Sequence, residues 1–209
     1  MKLRLLSAVT VAAGLAGAAM AGPGFINGDF ETGVLSPWVV TPTQNGRTLY
    51  QDVVSFDVTG TGASLAGHFG VGQVNFQSGV QEGVSVTQML NLSAGTEYTF
   101  RFNWAAHNTG TGGNAQGGVF SLVINGQLFG TQAAGSIAAG QIIRGTITVL
   151  FTPGSSGQYD IGARITRPFT PPGTLHQYID NFTVDPIPTP GALALLGLAG
   201  LATRRRRRD

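Results

Sequence analysis

The chain has 209 residues, 32 of them glycine, and no cysteine. Disulfide frameworks, zinc-thiolate sites and thiol nucleophiles are therefore excluded. Charged residues make up 11%, against roughly 25% in an average soluble domain, and glycine stands at about twice its usual share. That much glycine disfavours long helices, since each interior position costs about 1 kcal/mol. The formal charge of +2 is unevenly spread. Lys2 and Arg4 open the chain and Arg204 to Arg208 close it, whereas five arginines between Gly22 and Pro188 face nine Asp and Glu, a net charge of −4. A nucleic-acid surface needs a basic patch, and this segment has none, so nucleic acid is excluded as a partner.

Residues 1–21 carry a positive start at Lys2 and Arg4, an apolar run from Leu5 to Ala19, and Ala19-Met20-Ala21. This is the layout of a secretory signal peptide, with cleavage expected after Ala21. The body expected over residues 22–185 shows period-two alternation throughout. Strands are predicted near 38–41, 49–58, 64–69, 84–92, 97–104, 118–124, 143–151, 159–166 and 176–185. In the strand at 97–104, Tyr98, Phe100, Phe102 and Trp104 share one face, and Glu97, Thr99, Arg101 and Asn103 the other. On the last strand, Tyr178, Asp180, Phe182 and Val184 are expected to point the same way. Turn signals at Ser93-Ala94-Gly95, Asn125-Gly126 and 153–157 separate the strands. The glycine-rich stretches 60–62, 108–118 and 130–140 read as loops, with 108–118 mobile. No amphipathic helix of ten residues is visible in the body. Eight to ten antiparallel strands, apolar on one face, must pair as two sheets, which predicts an all-β, two-sheet antiparallel jelly-roll sandwich.

The chain ends in Ile187-Pro188-Thr189-Pro190, an apolar stretch to Thr203, and five arginines. The low-polarity run from Ile187 to Thr203 would span about 25 Å as a helix, the short end of what crosses a bilayer. The arginines after it hold the cytoplasmic side, placing the body outside. A proline motif, a short apolar helix and an arginine cluster at the C-terminus resemble the PEP-CTERM sorting signal, here over residues 186–209. Pro188, Pro190 and Arg204, Arg205, Arg206, Arg207 and Arg208 carry the resemblance, and Thr189 stands where that signal has Glu. The resemblance implies an exosortase-type processing enzyme as partner and transient membrane anchoring through the C-terminal helix. It also implies delivery to the cell surface or extracellular matrix.

Asn27-Gly28-Asp29-Phe30-Glu31, Gly33 and Pro37-Trp38 resemble the opening of galactose-binding-like carbohydrate-binding modules. Residues 92–100, 157–164 and 178–184 resemble strands of the same group. The likeness implies a jelly roll from about residue 25 to 185. It also implies a structural calcium ion held between the opening and closing strands, with Asp29, Glu31 and Asp180 as the matching acids. Calcium takes several oxygen ligands of this kind, and a carboxylate on an apolar face must be paired or ligated. The alternative is that Asp180 bonds to backbone amides or an arginine.

Sugar rings stack on flat aromatic faces while placed polar groups take their hydroxyls. Trp38, Tyr50, His68, Phe76, Trp104 and His107 are candidates. Trp104 shares its face with the core aromatics, so core is its default. Trp38, Tyr50 and His68 are singled out because they lie outside the clearest alternating strands. Nothing in the sequence assembles a catalytic group. Gly62-Ala63-Ser64-Leu65-Ala66-Gly67 misses the Gly-x-Ser-x-Gly elbow by one residue, His68, His107 and His176 are scattered without metal-ligand spacing, and no carboxylate pair stands out for glycoside hydrolysis. The sequence therefore predicts a secreted, surface-sorted, non-catalytic protein whose domain binds extracellular polysaccharide. The alternative is a structural matrix or surface-coat protein without a small ligand.

Overall fold

The computed structural model describes residues 23–188. The expected signal peptide, Pro190 and the five arginines lie outside the described residues, while Pro188 is exposed at their end. Among the described residues no helix is long and apolar enough to cross a membrane.

Alternating apolar residues build twelve strands: β1 (Val39–Pro42), β2 (Gly46–Phe56), β3 (Ser64–Gln73), β4 (Glu82–Leu92), β5 (Tyr98–Asn108), β6 (Asn114–Gln116), β7 (Val119–Ile124), β8 (Gln127–Ala133), β9 (Ser136–Ala138), β10 (Ile142–Phe151), β11 (Gly157–Arg167) and β12 (Leu175–Pro186). Two five-stranded antiparallel sheets, β1-β4-β11-β7-β8 and β10-β5-β12-β3-β2, face each other as a jelly-roll sandwich. Hydrophobic burial between the two inner faces holds them together. Tyr98, Phe100, Phe102 and Trp104 of β5 lie in that core, as do Val84, Val86, Leu90 and Leu92 of β4. Gln88 interrupts the apolar face of β4, and its side chain clamps the N-terminal segment through both backbone groups of Ile26 at 2.7 and 3.1 Å.

Two glycine-rich stretches read as loops contain strands. Asn125 and Gly126, with φ of 47° and 82°, form the tight turn that their sequence signals. The chain then runs back along β7 as β8. This edge strand is exposed at most positions, so its apolar alternation is weak. Further on, β6 and β9 pair as a two-stranded ribbon, which places order within 108–118 and 130–140.

The sharpest departure from simple alternation is in β12. Its register against β5 shifts between Asp180 and Thr183, and Asn181 takes a left-handed φ of 56°. A bulge of this kind reverses which face the following side chains occupy. Tyr178 and Asp180 therefore lie on the outer face, opposite Ala105 and Asn103, while Phe182 and Val184 enter the core. The expectation of one shared face for these four residues is corrected by this bulge. Inside, Phe182 meets Phe25, Phe30, Trp38 and Phe102 at ring-centroid distances of 5.5, 6.2, 4.6 and 4.8 Å. Truncating it would leave a cavity at the centre of this cluster. Phe182→Ala should lower the unfolding free energy by about 3–5 kcal/mol, read as a reduced urea midpoint with unchanged slope.

Candidate functional site

The outer face of the second sheet gathers side chains that are far apart in sequence. Cross-strand register sets His176 of β12 opposite His107 of β5, Tyr178 opposite His68 of β3, and Asp52 of β2 opposite His68. The three histidines, scattered along the sequence, share one face because neighbouring strands bring distant positions side by side. That corrects the reading of them as dispersed.

A second irregularity places Tyr50. The β2–β3 register shifts between Thr48 and Gln51. Thr48 Oγ1 accepts the Gly70 amide at 3.1 Å and donates to the Tyr50 carbonyl. The Tyr50 ring lies over Gly70, where a Cβ would come within 2.8 Å of it, and its hydroxyl donates to the Gly173 carbonyl at 2.8 Å. It stacks on His68 and His176 at 4.6 and 5.0 Å. His68 stacks on Tyr178 at 5.0 Å, and Tyr178 on Phe56 at 3.7 Å with planes 4° apart. The result is a run of near-parallel rings. Tyr50, Phe56, His107 and His176 are half-buried, and His68 and Tyr178 are buried between them.

A hydrogen-bonded chain crosses this run. Asp52 Oδ1 lies 2.7 Å from His68 Nδ1, His68 Nε2 lies 2.8 Å from His176 Nδ1, and His176 Nε2 lies 3.2 Å from Thr109 Oγ1. With both imidazoles neutral, each group donates toward Asp52: Thr109 O–H to His176, His176 Nδ1–H to His68, and His68 Nδ1–H to the carboxylate. One proton added to the imidazole pair reverses the two bonds that His176 makes and leaves the one to Asp52 as it was, and Thr109 then donates to the Thr174 carbonyl at 3.1 Å. Burial holds His176 below the usual histidine range, with His68 and His107 adding to the fall and Asp52 opposing it. His107 is lowered by burial and by Arg144. Both shifts favour the neutral pattern at neutral pH.

Of the three residues singled out for ligand binding, the structure brings Tyr50 and His68 together on this face. Trp38 is elsewhere. It is 6% exposed in the core, stacked between Phe25 and Phe30 and tilted against Phe182, with its indole N–H on the Asn27 carbonyl at 2.9 Å. The loop-like sequence around Pro37 conceals that burial, and the ring leaves no face for a sugar. Trp104 is likewise core, bonded to Gln132. Phe56, His176 and Tyr178 were not singled out. The period-two pattern of β2 could have marked Phe56 alongside Tyr50, whereas Tyr178 and His176 depend on where the β12 bulge falls.

The acids expected at a metal site converge only in part. Asp180 is 1% exposed. Its carboxylate accepts the Ser64 hydroxyl at 2.8 Å and the Asn181 amides at 2.7 and 3.2 Å. Glu31 accepts the amide of Leu65, next to Ser64, at 3.0 Å, so both carboxylates face the start of β3. Asp29 instead folds back onto the Glu31 amide at 3.3 Å. Burial pushes the Asp180 pKa up to about 6 against its hydrogen bonds, and the charges of Glu31 and Asp29 raise it further. Among the described residues no three histidine or acidic side chains are grouped so as to hold a metal ion. A cage of three carboxylates is not formed. An oxygen-seeking cation at this corner would rest on Glu31 and Asp180, with backbone carbonyls or water completing its shell.

No protein-family model and no curated protein matches the chain. Among solved structures, the chain is similar to TmCBM61, solved with β-1,4-galactotriose (15% identity, 78% of this chain and 97% of that one, TM-score 0.44). It is also similar to a Stig cyclase from Fischerella sp. TAU (17%, 80% and 98%, 0.46) and to the CBM22-1 xylan-binding domain of Paenibacillus barcinonensis Xyn10C (9%, 81% and 99%, 0.42).

These shifts give opposing pH dependences. His107 and His176 have depressed pKa values, so the unfolded chain takes up more protons and stability falls as pH drops below about 6.5. Asp180 has a raised pKa, so the native state takes up the extra proton and stability rises as pH falls through about 6. Asp180→Asn, measured without divalent cations, should therefore melt higher than wild type at pH about 7.5 and lose that advantage toward pH about 5. Thermal melts across this range read the difference directly.

Proposed function

We propose that this domain is a non-catalytic binding module for extracellular polysaccharide, and that the outer face of the β10-β5-β12-β3-β2 sheet is its binding surface. The observation that carries the reading is the run of rings from Phe56 through Tyr178 and His68 to Tyr50 and His176, half-buried at its accessible positions. Apolar patches of a pyranose pack on such rings, while polar groups at the border take its hydroxyls. Asp52 is exposed at one border. Asn103, bonded to Thr146 at 2.7 Å, lies at another. The Asp52–His68–His176–Thr109 chain serves here to hold the rings rigid. Export through residues 1–21 and surface sorting through the tail belong to the same reading, supported by the sequence features described above. They would deliver the domain to the compartment that holds its ligand.

Stacking one ring contributes on the order of 1 kcal/mol, so affinities of roughly micromolar to millimolar follow. Tyr50→Ala and Phe56→Ala should each weaken glycan binding about fivefold, measured by calorimetry against a panel of neutral and acidic glycans. Absence of binding to every glycan, with concentration-dependent assembly of the pure domain, would favour the structural coat protein instead.

A calcium ion held by Glu31 and Asp180 is part of this proposal. It would offset the like charges at that corner. Calcium binding only the native state at a hundredfold excess over its dissociation constant adds about 2.7 kcal/mol. A chelator should therefore lower the melting temperature of the wild type and leave Asp180→Ala unchanged. Identical wild-type melts with and without chelator would remove calcium from the reading.

A further inference from the structure

At the rim of the sandwich, beside the ring face, a buried cation lines an open cleft. Arg167 ends β11 and follows Ile161, Ala163 and Ile165 on the inward face, so its side chain enters the mouth between the sheets. It is 5% exposed. Its Nε donates to the Gln116 carbonyl at 2.6 Å and its Nη1 to the Thr170 carbonyl at 2.8 Å. Neither partner carries a charge. Its register partner Glu82 on β4 takes the Thr43 hydroxyl instead. Among the described residues, the one arginine within 4.0 Å of a carboxylate is Arg144, beside Asp57, so Arg167 has no carboxylate partner there. Burial alone lowers its pKa, to about 10.

The third nitrogen, Nη2, has no hydrogen-bond partner among the described residues. No fully buried polar side-chain atom is left without one, so Nη2 reaches accessible space. Arg167 lines a cleft of about 450 Å³ together with Asn108, Ser136, Thr174, Phe169 and Pro172. No acidic residue lines it. Phe169 lies under the guanidinium at 5.7 Å and parallel to Phe76 at 5.9 Å, and both rings are exposed. The loop carrying Phe169 and Pro172 is fixed by β3. The Gln73 amide donates to the Phe169 carbonyl at 3.0 Å, and a Cβ on Gly72 would meet that carbonyl at 2.2 Å.

A buried guanidinium without a counter-charge is costly, and its planar fork of N–H groups matches a carboxylate. We propose that this cleft binds a carboxylate-bearing sugar unit of an acidic glycan. Arg167 takes the carboxylate, Phe169 and Pro172 flank the ring, and Ser136 and Thr174 supply polar contacts to hydroxyls. The site deepens the polysaccharide-binding reading and rests on it for the sugar ring. It adds a preference for acid units that the net charge of the body opposes.

The test compares a short oligogalacturonate with its methyl ester, in which the carboxylates are neutral, by calorimetry at low and moderate salt. The acid form should bind wild-type protein about tenfold more tightly than the ester, and Arg167→Gln should abolish the difference. Because Arg167 also ties Gln116 and Thr170, a second variant is needed. Ser136→Asp places a negative charge at an exposed position of the cleft wall, and it should remove the preference without lowering the melting temperature. Equal binding of acid and ester to wild type, or a preference that survives both variants, would overturn the proposal. Tyr50→Ala separates the two readings. Loss of neutral-glycan binding in Tyr50→Ala, with no acid preference in wild type, sinks the cleft and leaves the ring face standing. Neutral-glycan affinity unchanged in Tyr50→Ala, with an acid preference that is lost in Arg167→Gln, sinks the ring face and leaves the cleft. A sulfated glycan without carboxylates that binds as tightly through Arg167 would make the cleft a general anion site and overturn the carboxylate assignment.

Discussion

The bulge in β12 at Asp180–Thr183 is the constraint on which both the core and the site depend. A strand that kept strict alternation would put Tyr178, Asp180, Phe182 and Val184 on one side. Facing inward, they would bury a carboxylate among phenylalanines; facing outward, they would strip the core of Phe182. One extra residue resolves the conflict, since residues 181 and 182 stand against the single Phe102. Asn181 supplies the left-handed backbone conformation, which asparagine adopts more readily than most residues. Upstream of it the outward set becomes His176, Tyr178 and Asp180, and downstream the inward set becomes Phe182 and Val184. The same device joins Phe182 to the Trp38 cluster and gives the ring face its Tyr178.

Much of the fold was legible because burial on one face imposes period two. The aromatic row of β5 and the apolar rows of β4, β10 and β11 were visible in the sequence, as was the turn at Asn125-Gly126. The remaining elements have weak pattern or depend on register. Edge strand β8 is largely exposed, so selection for apolar alternation is relaxed there, and the β6–β9 ribbon is too short for periodicity to register. Trp38 was misplaced because Pro37 before it signals a turn, while its burial depends on phenylalanines at positions 25, 30 and 182. The site was less legible still. A histidine at 68, one at 107 and one at 176 carry no local signal, and only the strand order β5-β12-β3 makes them neighbours.

The two polar features of the second sheet's outer face solve similar electrostatic problems differently. At the Asp180 corner, like charges crowd a desolvated carboxylate, and hydrogen bonds from Ser64 and Asn181 compensate only partly, so the pKa stays raised. Along the ring run, desolvation would disfavour any charged imidazole. There the hydrogen bonds form a continuous line from an exposed carboxylate to an exposed hydroxyl, and a proton can be accommodated by reversing bond directions without moving heavy atoms. Stacked rings on either side keep that line straight. The ring nitrogens of His68 and His176 point at each other and at Asp52 and Thr109.

The ring face and the rim cleft are joined by a single structural seam, and the seam constrains what could occupy both. Thr109 Oγ1 contacts His176 at the end of the ring run and also reaches the Thr174 carbonyl, and Thr174 lines the cleft. The Tyr50 hydroxyl is anchored on Gly173, the preceding residue of the same loop. The loop from Pro168 to Thr174 thus presents Tyr50 to one side and Phe169 and Pro172 to the other. A flexible polymer that engaged both would gain through effective concentration, since the second contact is intramolecular once the first is made. Weak single-ring contacts become adequate under that condition, because neither patch has to hold the chain alone. A monosaccharide cannot collect this gain, so the two-patch arrangement favours an extended polymer that crosses the Thr109–Thr174 seam over a small soluble sugar.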